Sequence, residues 1–323
     1  MKFASKILLP VRDYDLAATL DSGQVFRWQQ MENSWIGVVG ENQVRLTQTE
    51  NGILAQTVAP QKNWDWLREF LQTEIELETI LKSFPDDEPM NRAVVACRGL
   101  RILRQEPWEC LASFILSSTK QIVQIRQIIV RLCERFGEPL IRPSATFSPF
   151  KRGEAKTAMS VNPATRACNF SFSSPNEERA GVRSDSFFSF PSAKKIASLS
   201  ERQLRACKMG FRAPHLLAAA RQIAEGKFDL EKIRELNYAE AQHELMKLRG
   251  VGHKIADCVL LFAYGFDSAF PVDVWVERAL RQLYFPRRRI SEKRLKQFAA
   301  THFGPHAGYA QQYLFHYMRT KMK

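Results

Sequence analysis

The 323-residue chain has no apolar run approaching the roughly 20 residues that span a bilayer, which excludes a helical membrane protein. Its opening, Met1 to Pro10, lacks a sustained apolar core and a small-residue cleavage site. The sequence therefore predicts a soluble intracellular protein, in the cytoplasm or nucleoid of a bacterium or the nucleus of a eukaryote. Cysteine is sparse: Cys97, Cys110, Cys133, Cys168, Cys207 and Cys258 are not paired at metal-ligand spacing, and most sit in apolar helical stretches. That pattern suits a reducing compartment better than a disulfide framework. Acidic residues are also in short supply, 34 against 47 Lys and Arg, leaving a formal charge of +13. Such an excess draws the chain toward polyanions, of which nucleic acid is the commonest.

What is present reads as an α+β protein of two domains. Residues 1–82 are strand-rich: 35–40 and 43–49 carry β-branched residues in partial alternation between Asn- and Gly-bearing turns. A short amphipathic helix fits 64–71. Residues 83–323 change period. Apolar residues at three- and four-residue spacing predict helices over 108–116, 121–136, 214–224, 239–248, 254–264, 274–284, 292–303 and 308–318. Gly137 and Gly226 follow two of these as C′ residues. Residues 143–186, rich in Ser, Pro, Asn and Arg without apolar period, predict a disordered insertion that takes no part in the chemistry. The basic run Arg287-Arg288-Arg289 reads as a solvated face.

One segment carries chemistry. Leu248-Arg249-Gly250-Val251-Gly252-His253-Lys254-Ile255 joins two predicted helices through a hairpin at 249–252. Gly250 and Gly252 permit backbone conformations forbidden to other residues and a close approach to phosphate. The N–H groups opening the next helix favour an anion, and Leu248, Val251 and Ile255 anchor the hairpin apolarly. Such hairpins grip DNA, and in a plain grip Lys254 would simply contact phosphate. Asp273, 19 positions further on in Pro271-Val272-Asp273-Val274, reads by itself as an N-cap. Together the two suggest more. A lysine attacks a sugar C1′ only as the free amine, and at a pKa near 10.4 that form is about one part in a few thousand at pH 7. A helix N-terminus and partial desolvation both disfavour the ammonium, and a carboxylate can stabilise positive charge growing on the sugar.

With these residues the chain resembles the helix-hairpin-helix DNA glycosylase superfamily, and within it the 8-oxoguanine DNA glycosylase family. The likeness extends over most of the chain outside the insertion. It includes Ser22-Gly23-Gln24-Val25-Phe26-Arg27-Trp28, Leu46 to Glu50, Arg101 to Gln105, Val251 to Cys258, Pro271 to Val274 and Ala307 to Gln311. The resemblance implies a bifunctional base-excision repair enzyme, a DNA N-glycosylase and abasic-site lyase, in which Lys254 displaces the damaged base and Asp273 assists. It implies that Gly23 accepts the N7 proton of 8-oxoguanine, that Cys258 and Phe315 sandwich the flipped base, and that Gln311 reads its Watson–Crick edge. Phe262 and Trp275 would line the same pocket. Lys120, Phe211, Arg212 and the hairpin residues Gly250, Val251 and Gly252 would contact double-stranded DNA. The carbonyls of Met246, Leu248 and Val251 match a hairpin that can hold a cation bridging to phosphate. Catalysis would need no cofactor; no four-cysteine loop follows the catalytic helices, so no iron–sulfur cluster is expected. The protein is expected to act as a monomer.

The departures from the family pattern are specific. Where the family reads the orphaned cytosine with an asparagine and two arginines, this chain has Thr119, Gln124 and Arg212. Phe211 stands in place of a tyrosine wedge, Phe262 in place of a methionine, and Trp275 and Met318 in place of a histidine–aspartate pair. A bidentate arginine contact to a base contributes about 1–3 kcal/mol of discrimination, so a weakened preference for cytosine opposite the lesion is expected. Two rivals stand beside this reading: an alkylpurine glycosylase of the same superfamily, and a non-catalytic hairpin module that only grips DNA.

Overall fold

The computed structural model describes residues 3–118, 120–140, 187–287 and 290–321. Thr119, the insertion predicted over 143–186, and Arg288 and Arg289 lie outside the described residues.

The N-terminal half of the fold is built on five antiparallel strands: β1 (Ser5–Leu9), β2 (Gln29–Met31), β3 (Ser34–Val39), β4 (Asn42–Thr49) and β5 (Gly52–Thr57), in the spatial order β1-β5-β4-β3-β2. Strands β2 to β5 form a meander of two-residue hairpins, with Met31 opposite Ser34, Val39 opposite Asn42 and Thr49 opposite Gly52. Val44 and Leu46 alternate inward on β4, as do Ile53 and Ala55 on β5. They pack with Trp28, Trp35, Leu67 and Leu71 into the core of this half, where Trp28 stacks on Phe70 at 5.9 Å. Sequence periodicity identified β3 and β4 but not β1, β2 or β5. Strands β1 and β2 are short, and β2 is too polar to display an apolar face.

Helices α1 (Leu16–Asp21), α2 (Asp65–Leu71), α3 (Leu77–Lys82) and α4 (Glu88–Cys97) lead into the helical half. There α5 (Pro107–Ser117) is the central rod, with ten of its residues buried, and α6 (Ile122–Phe136) follows it. Short helices α7 (Ala193–Ala197) and α8 (Glu201–Arg205) precede α9 (Ala213–Ala224) and α10 (Tyr238–Met246). The last four are α11 (His253–Val259), α12 (Val274–Ala279), α13 (Glu292–His302) and α14 (Ala307–Lys321). The architecture is α+β, as the sequence predicts: an antiparallel sheet followed by a mostly helical body.

Some local expectations are corrected. Both α11 and α12 end earlier than predicted and continue as wider π-helical turns, Leu260–Tyr264 and Leu280–Tyr284. Side-chain period cannot separate an α from a π turn over five residues. Gly137 does not adopt the left-handed C′ conformation; its φ is −80°. A glycine is present because a Cβ would stand 2.1 Å from the Ser189 carbonyl oxygen. No helix among the described residues is long and apolar enough to cross a membrane.

Candidate active site

The hairpin is assembled locally. Asn237 caps α10 in a reciprocal box with Glu240, the Val251 N–H donates to the Leu248 carbonyl at 3.0 Å, and Gly252 opens α11. Buried Asp257 ties the helices together by accepting hydrogen bonds from Tyr238 Oη, at 2.8 Å, and from Gln242 Nε2. The two glycines do different work. Gly250 has φ +87°, and a Cβ there would meet the His215 ring at 2.7 Å. Gly252 has φ −105°, open to any residue, with no atom within 4 Å of the position of a Cβ. The expectation of a forbidden conformation thus holds for Gly250 alone, while Gly252 keeps the backbone uncovered.

Lys254 occupies the first turn of α11 and is only partly exposed. Its Nζ donates to Ser117 Oγ at 3.1 Å and lies 5.5 Å from the centroid of the Phe114 ring. Ser117 is buried at the end of α5 and donates to the Phe114 carbonyl at 2.8 Å, which leaves its oxygen as the acceptor for the lysine. Phe262 is buried and stacks on Phe114 at 5.5 Å, so it supports the floor beneath Lys254.

Asp273 caps α12, its Oδ1 accepting from the N–H groups of Trp275 at 3.0 Å and Val276 at 2.8 Å. Burial pushes its pKa above the usual carboxylate range, partly offset by those N–H groups and by the positive charge of Lys254. Burial likewise pushes the Cys258 thiol up to about 12, with Lys254 lowering it and Asp257 and Asp273 raising it. Lys254, Asp273 and Cys258 therefore share one electrostatic neighbourhood. Cys258 stands there as a neutral thiol, a small apolar surface and not a nucleophile.

The sheet half contributes a loop to this side of the molecule. Gln24 is fully buried; the two N–H groups of its Nε2 face the Arg101 carbonyl and a shared position between the Thr19 carbonyl and Ser22 Oγ, and its Oε1 accepts from the Leu103 N–H. Gln312 on α14 donates to the Ser22 carbonyl at 3.0 Å. Held this way, Gly23 adopts φ +81°, and a Cβ there would lie 3.3 Å from the Phe315 ring. Gln311, one turn before Phe315 on α14, is buried with no hydrogen-bond partner for its Oε1. A buried acceptor without a partner is costly unless a donor from outside the chain, water or ligand, reaches it.

Comparison with known proteins fits this geometry. Residues 6–111 match the N-terminal domain of 8-oxoguanine DNA glycosylase, and residues 112–304 match the HhH-GPD superfamily of base excision DNA repair proteins. The chain belongs to the 8-oxoguanine DNA glycosylase family. It is 30% identical to a probable N-glycosylase/DNA lyase of Methanothermobacter thermautotrophicus, over 96% of this chain and 95% of that one. It is 28% identical to the N-glycosylase/DNA lyase of Saccharomyces cerevisiae, over 86% of this chain and 70% of the relative. The Clostridium acetobutylicum 8-oxoguanine glycosylase/lyase, solved with DNA containing cytosine opposite 8-oxoguanine, superposes with a TM-score of 0.79 at 28% identity, covering both chains fully.

In this family member the residues expected on the DNA face are not all free to reach it. Phe211 is 55% exposed, as a wedge must be, with its edge against His215. Arg212 is instead buried: its guanidinium donates to the carbonyls of Met209 and Ser118 and lies 4.2 Å above the Phe211 ring. In this conformation it props the wedge, and reading a base requires a new rotamer. Gln124 is exposed at the third position of α6 and closes a capping box with Gln121. Lys120 is half-exposed beside it. Trp275 is 36% exposed and carries the Arg278 guanidinium 5.2 Å from its ring, whereas Met318 is buried.

The Leu248 carbonyl, one of three expected to hold a cation with those of Met246 and Val251, already accepts the Val251 N–H. Among the described residues no group of three or more His, Cys, Asp or Glu could hold a metal ion. Sequence reasoning missed Ser117 and the holding role of Gln24. A serine ending an apolar helix has no pattern that announces its partner 137 residues away.

Proposed function

We propose that this chain removes 8-oxoguanine from duplex DNA and then cleaves the resulting abasic strand, with Lys254 and Asp273 as its catalytic residues. The observation that carries the assignment is the Lys254 Nζ held by Ser117 Oγ within the electrostatic reach of the Asp273 carboxylate. As the free amine, Lys254 attacks C1′; the C1′–N9 bond breaks and the base leaves with its electron pair, taking up a proton. Asp273 stabilises the positive charge that grows on the sugar and still caps α12. Loss of a proton from the attached nitrogen and opening of the sugar give the Schiff base. Removal of a C2′ proton then expels the 3′ phosphate by β-elimination. Ser117 orients the amine, and the Phe114–Phe262 stack excludes water beneath it.

Gly23, Cys258, Phe315 and Gln311 form the base pocket in this reading, with Trp275 at its rim. Gly250, Val251 and Gly252 approach phosphate, aided by Lys120, Gln124 and Phe211. The three hairpin carbonyls offer neutral oxygen donors, which suit a hard cation; a cation there would neutralise phosphate charge. Borohydride trapping tests the chemistry. Wild-type protein mixed with duplex containing 8-oxoguanine is expected to give a covalent DNA adduct, and Lys254→Gln none. A full-strength adduct from the variant would reject Lys254 as the nucleophile.

A further inference from the structure

Helix α14 carries Gln311, Phe315 and Arg319 at four-residue intervals, so the three share one face. The first two were assigned to the base pocket above, and the inference here rests on that assignment. Arg319 extends the stripe by one turn. Its guanidinium carbon lies 5.9 Å from the Phe315 ring centroid. Its Nη1 would be 3.4 Å from a Cβ at Gly23, the residue whose carbonyl is to accept the N7 proton. The side chain is only 18% exposed and is held in place: Nη2 donates to Asp21 Oδ2 at 3.1 Å. Arg126 occupies the other oxygen of the same carboxylate at 2.8 Å. Two arginines thus share one aspartate, leaving one positive charge in excess. Nη1 itself is buried with no hydrogen-bond partner.

An unmet buried donor is costly, and arginine cannot lose its charge to escape that cost. Along α14 the residue with the unmet acceptor, Gln311, comes one turn before Phe315, and the residue with the unmet donor, Arg319, one turn after it. A base stacked on that ring with its Watson–Crick edge toward Gln311 turns its imidazole edge toward Arg319. Guanine has no oxygen on that edge; its oxidised form carries one at C8, next to N7. We propose that Arg319 is a specificity-determining residue that donates from Nη1 to the C8 oxygen of the flipped 8-oxoguanine. Gly23 would then report the proton that oxidation adds and Arg319 the oxygen.

The test uses full-length protein carrying Lys254→Gln to block turnover, with and without Arg319→Met, a substitution of similar length and no donor. Dissociation constants are measured for duplexes containing 8-oxoguanine or guanine opposite cytosine. The O6 oxygen is common to both bases, and a contact to N7 would favour guanine, whose N7 accepts where the lesion's N7–H cannot, so a preference that falls on loss of the donor points to the C8 oxygen. Arg319→Met is expected to lower the preference for 8-oxoguanine about tenfold or more, the range for a hydrogen bond from a charged group. In the Lys254-containing background, strand cleavage at a preformed abasic site, a substrate with no base, reads whether Arg319→Met also disturbs the groups outside the base contact. An unchanged affinity ratio overturns the proposal. So does an equal loss of affinity for both duplexes with slowed abasic-site cleavage, which would make Arg319 a phosphate contact or a pocket support. If the protein with Arg319 intact already shows no preference for 8-oxoguanine, the base-pocket assignment itself has failed and this proposal falls with it.

Discussion

Gly23→Ala is the sharpest probe of the union between the sheet-half loop and the helical pocket. At φ +81° an alanine sits in the left-handed region, which costs about 1–2 kcal/mol for a residue with a Cβ. The new methyl would stand 2.8 Å from Ile122 Cδ1 and 3.3 Å from Phe315 Cε1. The isoleucine tip can rotate away cheaply. The phenylalanine ring would have to give by a few tenths of an ångström, which its packing in the helical core at 9% exposure resists. Stability should therefore fall by at least the backbone strain of about 1–2 kcal/mol, lowering Tm by about 2–8 °C or more for a chain of this size. The functional loss should exceed the stability loss, since both the loop carbonyl and the stacking ring shift. Single-turnover excision of 8-oxoguanine is expected to slow about tenfold or more, at 1.4 kcal/mol of barrier per tenfold. Cleavage at a preformed abasic site should stay near wild type, because Lys254, Ser117 and Asp273 stand on α11, α5 and the start of α12. A variant with wild-type Tm and excision rate would refute the reasoning, and so would equal losses in excision and abasic-site cleavage.

Other perturbations test the remaining parts. Asp273→Asn keeps a capping side chain and removes a carboxylate whose folded-state pKa is raised by burial. A raised carboxylate pKa opposes folding once pH exceeds the unfolded value, and the opposition fades as pH falls below it. The variant should therefore lose excision yet unfold at higher temperature than wild type at pH 7, with the difference vanishing in acid; a lower Tm at pH 7 would contradict the sign. Ser117→Ala removes the acceptor of the Lys254 Nζ, and kcat for excision and for strand cleavage should fall together about five- to tenfold with KM for DNA unchanged. Unaltered kcat would dismiss Ser117 as a positioning residue. With Gln124 in place of an arginine and Arg212 buried, excision opposite cytosine should exceed excision opposite adenine, guanine or thymine by less than about a hundredfold, the loss of one bidentate contact. A cytosine preference of many hundredfold would overturn that expectation.

The hairpin and its flanking helices were readable because their signals are local. The two glycines, Gly250 and Gly252, mark the turn, the apolar spacing of Leu248, Val251 and Ile255 marks its anchor, and Asp273 caps the helix it immediately precedes. Strands β3 and β4 were readable for the same reason, while polar β2 was not. Ser117 shows the limit. It falls just past the helix predicted over 108–116, and its other hydrogen bond, to the Phe114 carbonyl, is one any serine ending a helix can make. Arg212 shows another limit: its identity suggested a base reader, and only the tertiary structure shows its guanidinium held by the carbonyls of Met209 and Ser118 against Phe211.

From the sequence alone came the α+β class, the glycine hairpin between two helices and the expectation that pairs Lys254 with Asp273, because turn, cap and helix-period signals act within a few residues. Tertiary structure decided what surrounds the lysine and which groups meet at the pocket. Ser117 reaches Lys254 from 137 positions earlier, Gln24 fixes Gly23 by bonds to Arg101 and Leu103, and Arg319 comes beside Gly23 from the last helix. Such contacts arise only when a core closes over chain segments far apart in sequence, and no short-range pattern encodes them.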